Sequence, residues 1–250
     1  MVSQKRLELG APVSAVLFDL GNTLAAYYRR DEFQPILERA VDNVLAELRV
    51  RGVETVDRDA ALASAVAENR EADDFRVIPM TERLVRIFGV PARDAPLLEV
   101  LCERFLEPIF AVARVYDDAL PVLASLRDAG LRTAIVSNSP WGSPAQPWRK
   151  ELEKLGLAGL VDSIVLCSDV GWRKPAREIF VHAAAALGVH CEQCVFVGDD
   201  IQWDVEGSEA AGMRAVLIDR DDRHRGFGGA RVRDLRSVLK YCTVAYGGGS

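Results

Sequence analysis

Five short apolar runs punctuate the chain, and each closes on a polar group or a glycine. They are Val13 to Phe18 before Asp19, Arg132 to Val136 before Ser137, Ser163 to Cys167 before Ser168, Cys194 to Val197 before Gly198, and Ala215 to Ile218 before Asp219. Runs of this length, rich in β-branched and aromatic residues and followed by turn formers, predict buried strands. Amphipathic stretches of helical length separate the later runs: Val115 to Gly130, Pro144 to Leu155 behind an expected Ser143 N-cap, and Pro175 to Leu187. This alternation predicts a parallel sheet covered by helices on both faces. The expected fold is α/β, with a Rossmann-like three-layer core whose ligands sit beyond the carboxyl ends of the strands.

The stretch from about Tyr27 to about Ala113 reads differently. It holds no strand-like run. Phe33, Ile36, Leu37, Ala40, Val41, Val44, Leu45 and Leu48 recur at the spacing of one helical face. Further helices are expected over Arg58 to Ala72, Thr81 to Phe88 with Thr81 as N-cap, and Ala95 to Phe110. The expected division is a core formed by 1–26 and 114–250, with a helical-bundle cap at 27–113 inserted after the first strand. A bundle that leaves a core at a strand end is placed to cover a site there, although a purely structural insertion has the same pattern.

Composition narrows the functional classes. The 31 Lys and Arg against 37 Asp and Glu give a net charge of −6, which disfavours nucleic-acid binding, since phosphate-backbone contact needs a basic face. No uncharged apolar run approaches the ~20 residues of a spanning helix, so no membrane partner is expected. MVSQKRLELG lacks the apolar core of a signal peptide. With five cysteines, an odd number, and no export signal, reduced thiols and a cytoplasmic location are expected. YGGGS at the end reads as a frayed tail. His190, Cys191 and Cys194 form HCEQC, but no second ligand cluster stands at zinc spacing, and Cys194 opens a strand. We read these residues as structural.

Four strand ends lead into polar groups: Asp19 in FDLGNTL, Ser137-Asn138, Lys174 in VGWRKPAREIF, and Asp199, Asp200 and Asp204 in VGDDIQWD. In a parallel sheet these ends share one edge. Crowded carboxylates repel, and some stay protonated unless a cation neutralises them. Mg²⁺ suits all-oxygen ligation by carboxylates, waters and a phosphate, and Lys174 would bring positive charge to a phosphate and to a nucleophilic carboxylate. Singly, each element is an ordinary turn or cap; the order and strand placement of all four set them apart.

The motifs VLFDLGNTL, AIVSN, VGWRKPAREIF and VFVGDDIQWDVEGSEAAGM resemble the four signature motifs of the haloacid dehalogenase superfamily of hydrolases, in order and over nearly the whole chain. The insert lies where one subgroup places a helical cap, between the first and second motifs. The resemblance implies an Mg²⁺-dependent phosphatase acting on a small phosphorylated metabolite, with Asp19 as a nucleophile that forms an aspartyl-phosphate. It implies Mg²⁺ held by Asp19, the carbonyl of Gly21 and Asp199, with Asp204 (or Asp200) orienting metal-bound waters. Ser137 and the backbone N–H groups near Leu20 and Gly21 would hold phosphoryl oxygens, Asn138 would shape the pocket, and Lys174 would neutralise charge.

The chain departs from that pattern at Gly21, where the family's phosphatases carry an Asp that protonates the leaving group, and at Asn22, usually Gly. General acid–base help is worth ~10²–10⁴-fold, and none of the three histidines, His182, His190 and His224, stands at a motif position. One reading is a phosphatase whose acid comes from elsewhere, with Asp31, Glu32 or a metal-bound water as candidates. A second is a metal-free 2-haloacid dehalogenase, against which Asp199, Asp200 and Asp204 argue. A third is a catalytically weak relative that binds a phosphorylated ligand or a protein. The first is the reading adopted. Tyr27, Tyr28, Arg29 and Arg30, at the cap entrance, either select a substrate or form a solvated hinge. SPWGSPAQPW, with Trp141 and Trp148, either walls the site or packs structurally.

Overall fold

A computed structural model describes residues 12–54 and 56–242. MVSQKRLELG and YGGGS lie outside the described residues, as does the side chain of Arg30. Six strands form one sheet in which all pairs are parallel: β1 (Ala15–Phe18), β4 (Arg132–Ser137), β5 (Ser163–Leu166), β6 (Cys194–Gly198), β7 (Arg214–Ile218) and β8 (Arg231–Val232), in the order β5-β4-β1-β6-β7-β8. A separate antiparallel two-stranded ribbon is formed by β2 (Ala25–Ala26) and β3 (Arg114–Val115).

Alternation along the strands builds two cores. Val16, Phe18, Ile135, Val195 and Val197 enter one apolar cluster; Ala15, Leu17, Ala134, Val136 and Phe196 enter the other. β1 is inaccessible to solvent along its whole length, as a strand covered on both faces must be. On the first face lies α5 (Ala119–Asp128), through Val122, Leu123 and Leu126. On the second lies α8 (Arg177–Ala186), through Ile179, Phe180, Ala183 and Ala184. The architecture is the three-layer Rossmann-like α/β fold that the strand–helix alternation predicts.

Between β2 and β3 run four helices: α1 (Phe33–Val50), α2 (Arg58–Glu68), α3 (Met80–Phe88) and α4 (Ala95–Phe110). α1 and α4 pack along one another, and their apolar faces join the first cluster. The ribbon brings the two ends of this segment together, so it leaves and re-enters the core at one place. The loop before α3 also docks onto the loop that carries Lys174: Val77 N donates to Gly171 O at 3.1 Å and Arg173 N to Phe75 O at 2.9 Å.

Two expected caps are replaced. α3 begins at Met80 with Pro79 as N-cap, so Thr81 lies inside the helix. α6 (Ala145–Lys154) begins after Pro144, and the Ser143 hydroxyl accepts a hydrogen bond from Trp148 Nε1 at 2.8 Å instead of capping. In both places a proline with extended φ/ψ starts the helix, because it has no N–H to leave unsatisfied. Among the described residues, no helix is long and apolar enough to cross a membrane.

Candidate active site

The strand order places the sheet's switch point at β1. The chain moves from β1 outward through β4 and β5, then returns to β6 on the opposite side. Crevices at such points hold ligands. Register does the rest. Phe18 is level with Val197, and Asp19 N donates to Val197 O at 2.9 Å, so the Asp19 side chain emerges beside the Gly198–Asp199 step. β4 runs two residues past its partner of Phe18, which brings Ser137 Oγ to 3.2 Å from Asp19 Oδ1.

Lys174 stands at the centre. It is 3% exposed, and Nζ donates to Asp19 Oδ1 at 2.5 Å and to Asp204 Oδ1 at 2.6 Å. Burial works against its charge, but Asp19 and Asp204 outweigh that and raise its pKa. Asn138 clamps its backbone: the side-chain amide donates to Lys174 O at 3.1 Å and accepts from Lys174 N at 2.8 Å. Asn138 therefore acts on the lysine loop, a role the sequence does not reveal.

After β6 the chain passes into a π-helical turn, Ile201–Glu206, a distortion frequent at functional sites. Asp200 caps it, accepting from Trp203 N at 2.7 Å. The turn carries Asp204 back under β6, where it is 2% exposed and its Oδ2 accepts from Asp200 N at 3.1 Å. A Cβ on Gly198 would lie 2.3 Å from the Asp204 carboxylate, so glycine is required there.

One carboxylate oxygen from each of Asp19, Asp199 and Asp204 lies within 4.8 Å of the others, the single such cluster among the described residues. Lys174 supplies one positive charge against these three. Burial first, then the charges of Asp19 and Asp204, push the Asp199 carboxyl up to about 7; burial also raises Asp204. An oxygen-only donor set, with Asp19 and Asp204 buried and Asp199 half-buried, and with excess negative charge, fits a hard divalent cation. Asn22, beside Asp199, tempers the shift. Its φ of 55° lies in the left-handed region that Asn tolerates better than most residues, which explains how it stands where glycine is usual.

Asp31 and Glu32 do not join the residues lining the cavity around Asp19. Asp31 is tied to Arg29 Nη2 at 2.8 Å, which lowers its pKa, and Glu32 accepts from Arg29 N at 2.8 Å. Tyr27, Tyr28 and Trp148 do line it, along with Trp203, which the sequence did not single out. Trp141 packs instead against Phe105, with ring centroids at 5.1 Å. In HCEQC, Cys194 Sγ lies 3.4 Å from His190 O, and burial pushes its thiol up to about 12.

A family model described as haloacid dehalogenase-like hydrolase matches residues 13–212. The chain belongs to the haloacid dehalogenase-like hydrolases. Among its relatives in this family, it is 28% identical over 238 residues to a glyceraldehyde 3-phosphate phosphatase of Methanopyrus kandleri, covering 91% of this chain and 97% of that one. It is 34% identical over 172 residues to a phosphoserine phosphatase of Thermus thermophilus, covering 67% and 65%. A haloacid dehalogenase-type phosphatase of Thermococcus onnurineus shares the architecture with a TM-score of 0.64 at 27% identity, covering 92% of this chain and 97% of that one.

Proposed function

We propose that this haloacid dehalogenase-like hydrolase is an Mg²⁺-dependent phosphatase that cleaves the phosphate monoester of a small metabolite through an aspartyl-phosphate on Asp19. The observation that carries the reading is the charge imbalance at the strand ends: three clustered carboxylates, with one lysine shared between two of them. The phosphatase names of its relatives support it. The five free cysteines suit the reducing compartment in which such metabolites turn over. Residues 27–113 form the cap domain in this reading, and 1–26 with 114–250 the catalytic core.

Asp19, the Gly21 carbonyl and Asp199 would hold Mg²⁺, with Asp204 orienting its waters. When bound, the ion draws charge from the phosphoryl oxygens. In the first step an Asp19 oxygen forms a bond to phosphorus as the bond to the ester oxygen breaks, and the alkoxide departs and takes a proton from solvent water. In the second, water attacks phosphorus and the Asp19 carboxylate is released with inorganic phosphate. Lys174 lies within hydrogen-bonding distance of the attacking carboxylate and balances the charge that builds around it. The Ser137 hydroxyl and the N–H groups of Leu20 and Gly21 would hold the transferring oxygens.

Phosphate release from p-nitrophenyl phosphate tests this reading. Hydrolysis is expected with Mg²⁺, lost on chelation and restored by Mg²⁺. Halide release from a 2-haloacid, unaffected by chelator, would overturn it in favour of a metal-free dehalogenase.

A further inference from the structure

Above the carboxylates, the cavity of about 360 Å³ is walled by carbon. Tyr27, Tyr28, Trp148 and Trp203 supply rings, and Ile109 and Pro140 aliphatic surface. Three of these rings, Tyr27, Tyr28 and Trp148, are fixed before any ligand arrives. Tyr27 stands edge-on to Trp148, with centroids at 5.6 Å. Trp148 is held by Ser143 and by an edge contact with Phe110 at 4.9 Å. Tyr28 leans on Phe33 at 6.1 Å.

Charge in the same cavity is one-sided. Among the described residues that line it, Lys174 is the single basic side chain, and its ammonium is already bonded to two carboxylates. The arginines of the adjoining groove are each occupied. Arg29 is paired with Asp31 and Arg223 with Asp221. Arg220 is paired with Asp118 and also donates to the carbonyls of Asn22 and Thr23. Among the described residues that line the cavity, a substrate carboxylate or second phosphate would meet no basic side chain other than Lys174, and would lie beside Asp199 and Asp200. The neutral polar residues Asn22, Ser137 and Asn138 also line the cavity; on the ring wall, Tyr27 Oη is buried without a hydrogen-bond partner, and burial, then Glu151 and Asp19, hold its proton in place. A hydroxyl left unpaired in this way is costly until an acceptor arrives.

We propose that the substrate is a phosphate monoester whose organic part is uncharged and presents a flat apolar face to the wall of Tyr27, Tyr28 and Trp148. Pockets recognise ligands chiefly through such apolar walls, with few placed polar groups. The proposal rests on the phosphatase reading, and its test separates the two.

Benzyl phosphate, glycerol 3-phosphate and phosphoglycolate all expel a primary alkoxide, so differences among them report recognition more than leaving-group chemistry. With the full chain and Mg²⁺, kcat/KM for benzyl phosphate is expected to exceed that for each of the others by at least ~10-fold, the scale of discrimination one pocket wall supplies. Tyr28→Arg, which adds a cation at the wall, is expected to shift the phosphoglycolate-to-benzyl ratio at least ~10-fold toward phosphoglycolate. Equal rates, or a wild-type preference for phosphoglycolate, would overturn the substrate class and leave the phosphatase reading intact. An unshifted ratio in folded Tyr28→Arg would also overturn it. Absence of phosphate release from all three esters and from p-nitrophenyl phosphate would overturn both.

Discussion

Position 21 is where the first motif departs from the phosphatase pattern it resembles. The family pattern puts a proton donor two residues after the nucleophile, and here that residue is Gly21. Its φ lies outside the left-handed region, and a Cβ built on it meets nothing within 4 Å, so neither backbone nor space demands glycine. With no carboxyl there, and with Asp31 and Glu32 turned to Arg29, the proposed reaction would expel its leaving oxygen without strong acid help. Rates are therefore expected to fall steeply as the alcohol becomes less acidic. Gly21→Asp is expected to raise kcat for alkyl phosphates by at least ~10-fold, within the ~10²–10⁴ range of general acid catalysis, and to help p-nitrophenyl phosphate much less. A flat leaving-group dependence in the wild type, or equal gains on both substrates, would contradict this. Asp19, Lys174 and Asp199 were legible in the sequence because each follows a strand end. The choice between Asp200 and Asp204 was not, since it depends on how tightly the chain turns after β6. The Asn138 clamp and Trp203 were hidden for the same reason: nothing in local pattern fixes which way a loop side chain points.

At the scale of elements, what was legible is what periodicity encodes. Five of the six sheet strands and the helices α1 and α4 follow directly from runs and repeats of apolar residues. Missed were β8, only two residues long, and the ribbon of β2 with β3, whose alanines and single arginine carry no alternation. Pairing there is imposed by the closure of the helical segment onto itself. The Thr81 and Ser143 caps failed because a neighbouring proline had the stronger claim on the helix start. The π-helical turn is the element on which the site's geometry depends, and Gly198 is where β6 makes room for it. Gly198→Ala sets a methyl group against the Asp204 carboxylate and should push it off Lys174. Misplacement on the order of 1 Å costs ~10²-fold in rate, so kcat with Mg²⁺ is expected to fall about that far while the circular dichroism spectrum stays native. Unchanged kcat would show that the position of Asp204 is immaterial.

For the molecule as a whole, the carboxylate cluster links folding, pH and metal. Without a cation, the folded-state pKa of Asp199, about 7 against its usual 3.8, means that the native protein binds this proton more tightly than the unfolded chain does. The stability this contributes is complete below the unfolded pKa and is lost as pH rises through about 7. A bound cation removes the cost of ionising the site. Mg²⁺ at ~100 times its Kd adds about 2.7 kcal/mol, which for a chain of this size corresponds to a Tm rise of ~5–10 °C. That rise is expected to be larger near pH 8 than near pH 5, where Asp199 competes for the site with a proton. A shift of equal size at both values, measured by differential scanning fluorimetry, would contradict a site built around these carboxylates.

The most direct test lies at Asp19 itself. Turnover of p-nitrophenyl phosphate with Mg²⁺, quenched in acid and digested, should yield a peptide carrying one phosphoryl group on Asp19. Asp19→Asn should yield none and lose at least ~10³-fold in kcat, because an amide cannot serve as the nucleophile. Undiminished turnover by Asp19→Asn, with no phosphopeptide in the wild type, would contradict covalent capture of phosphorus at this strand end.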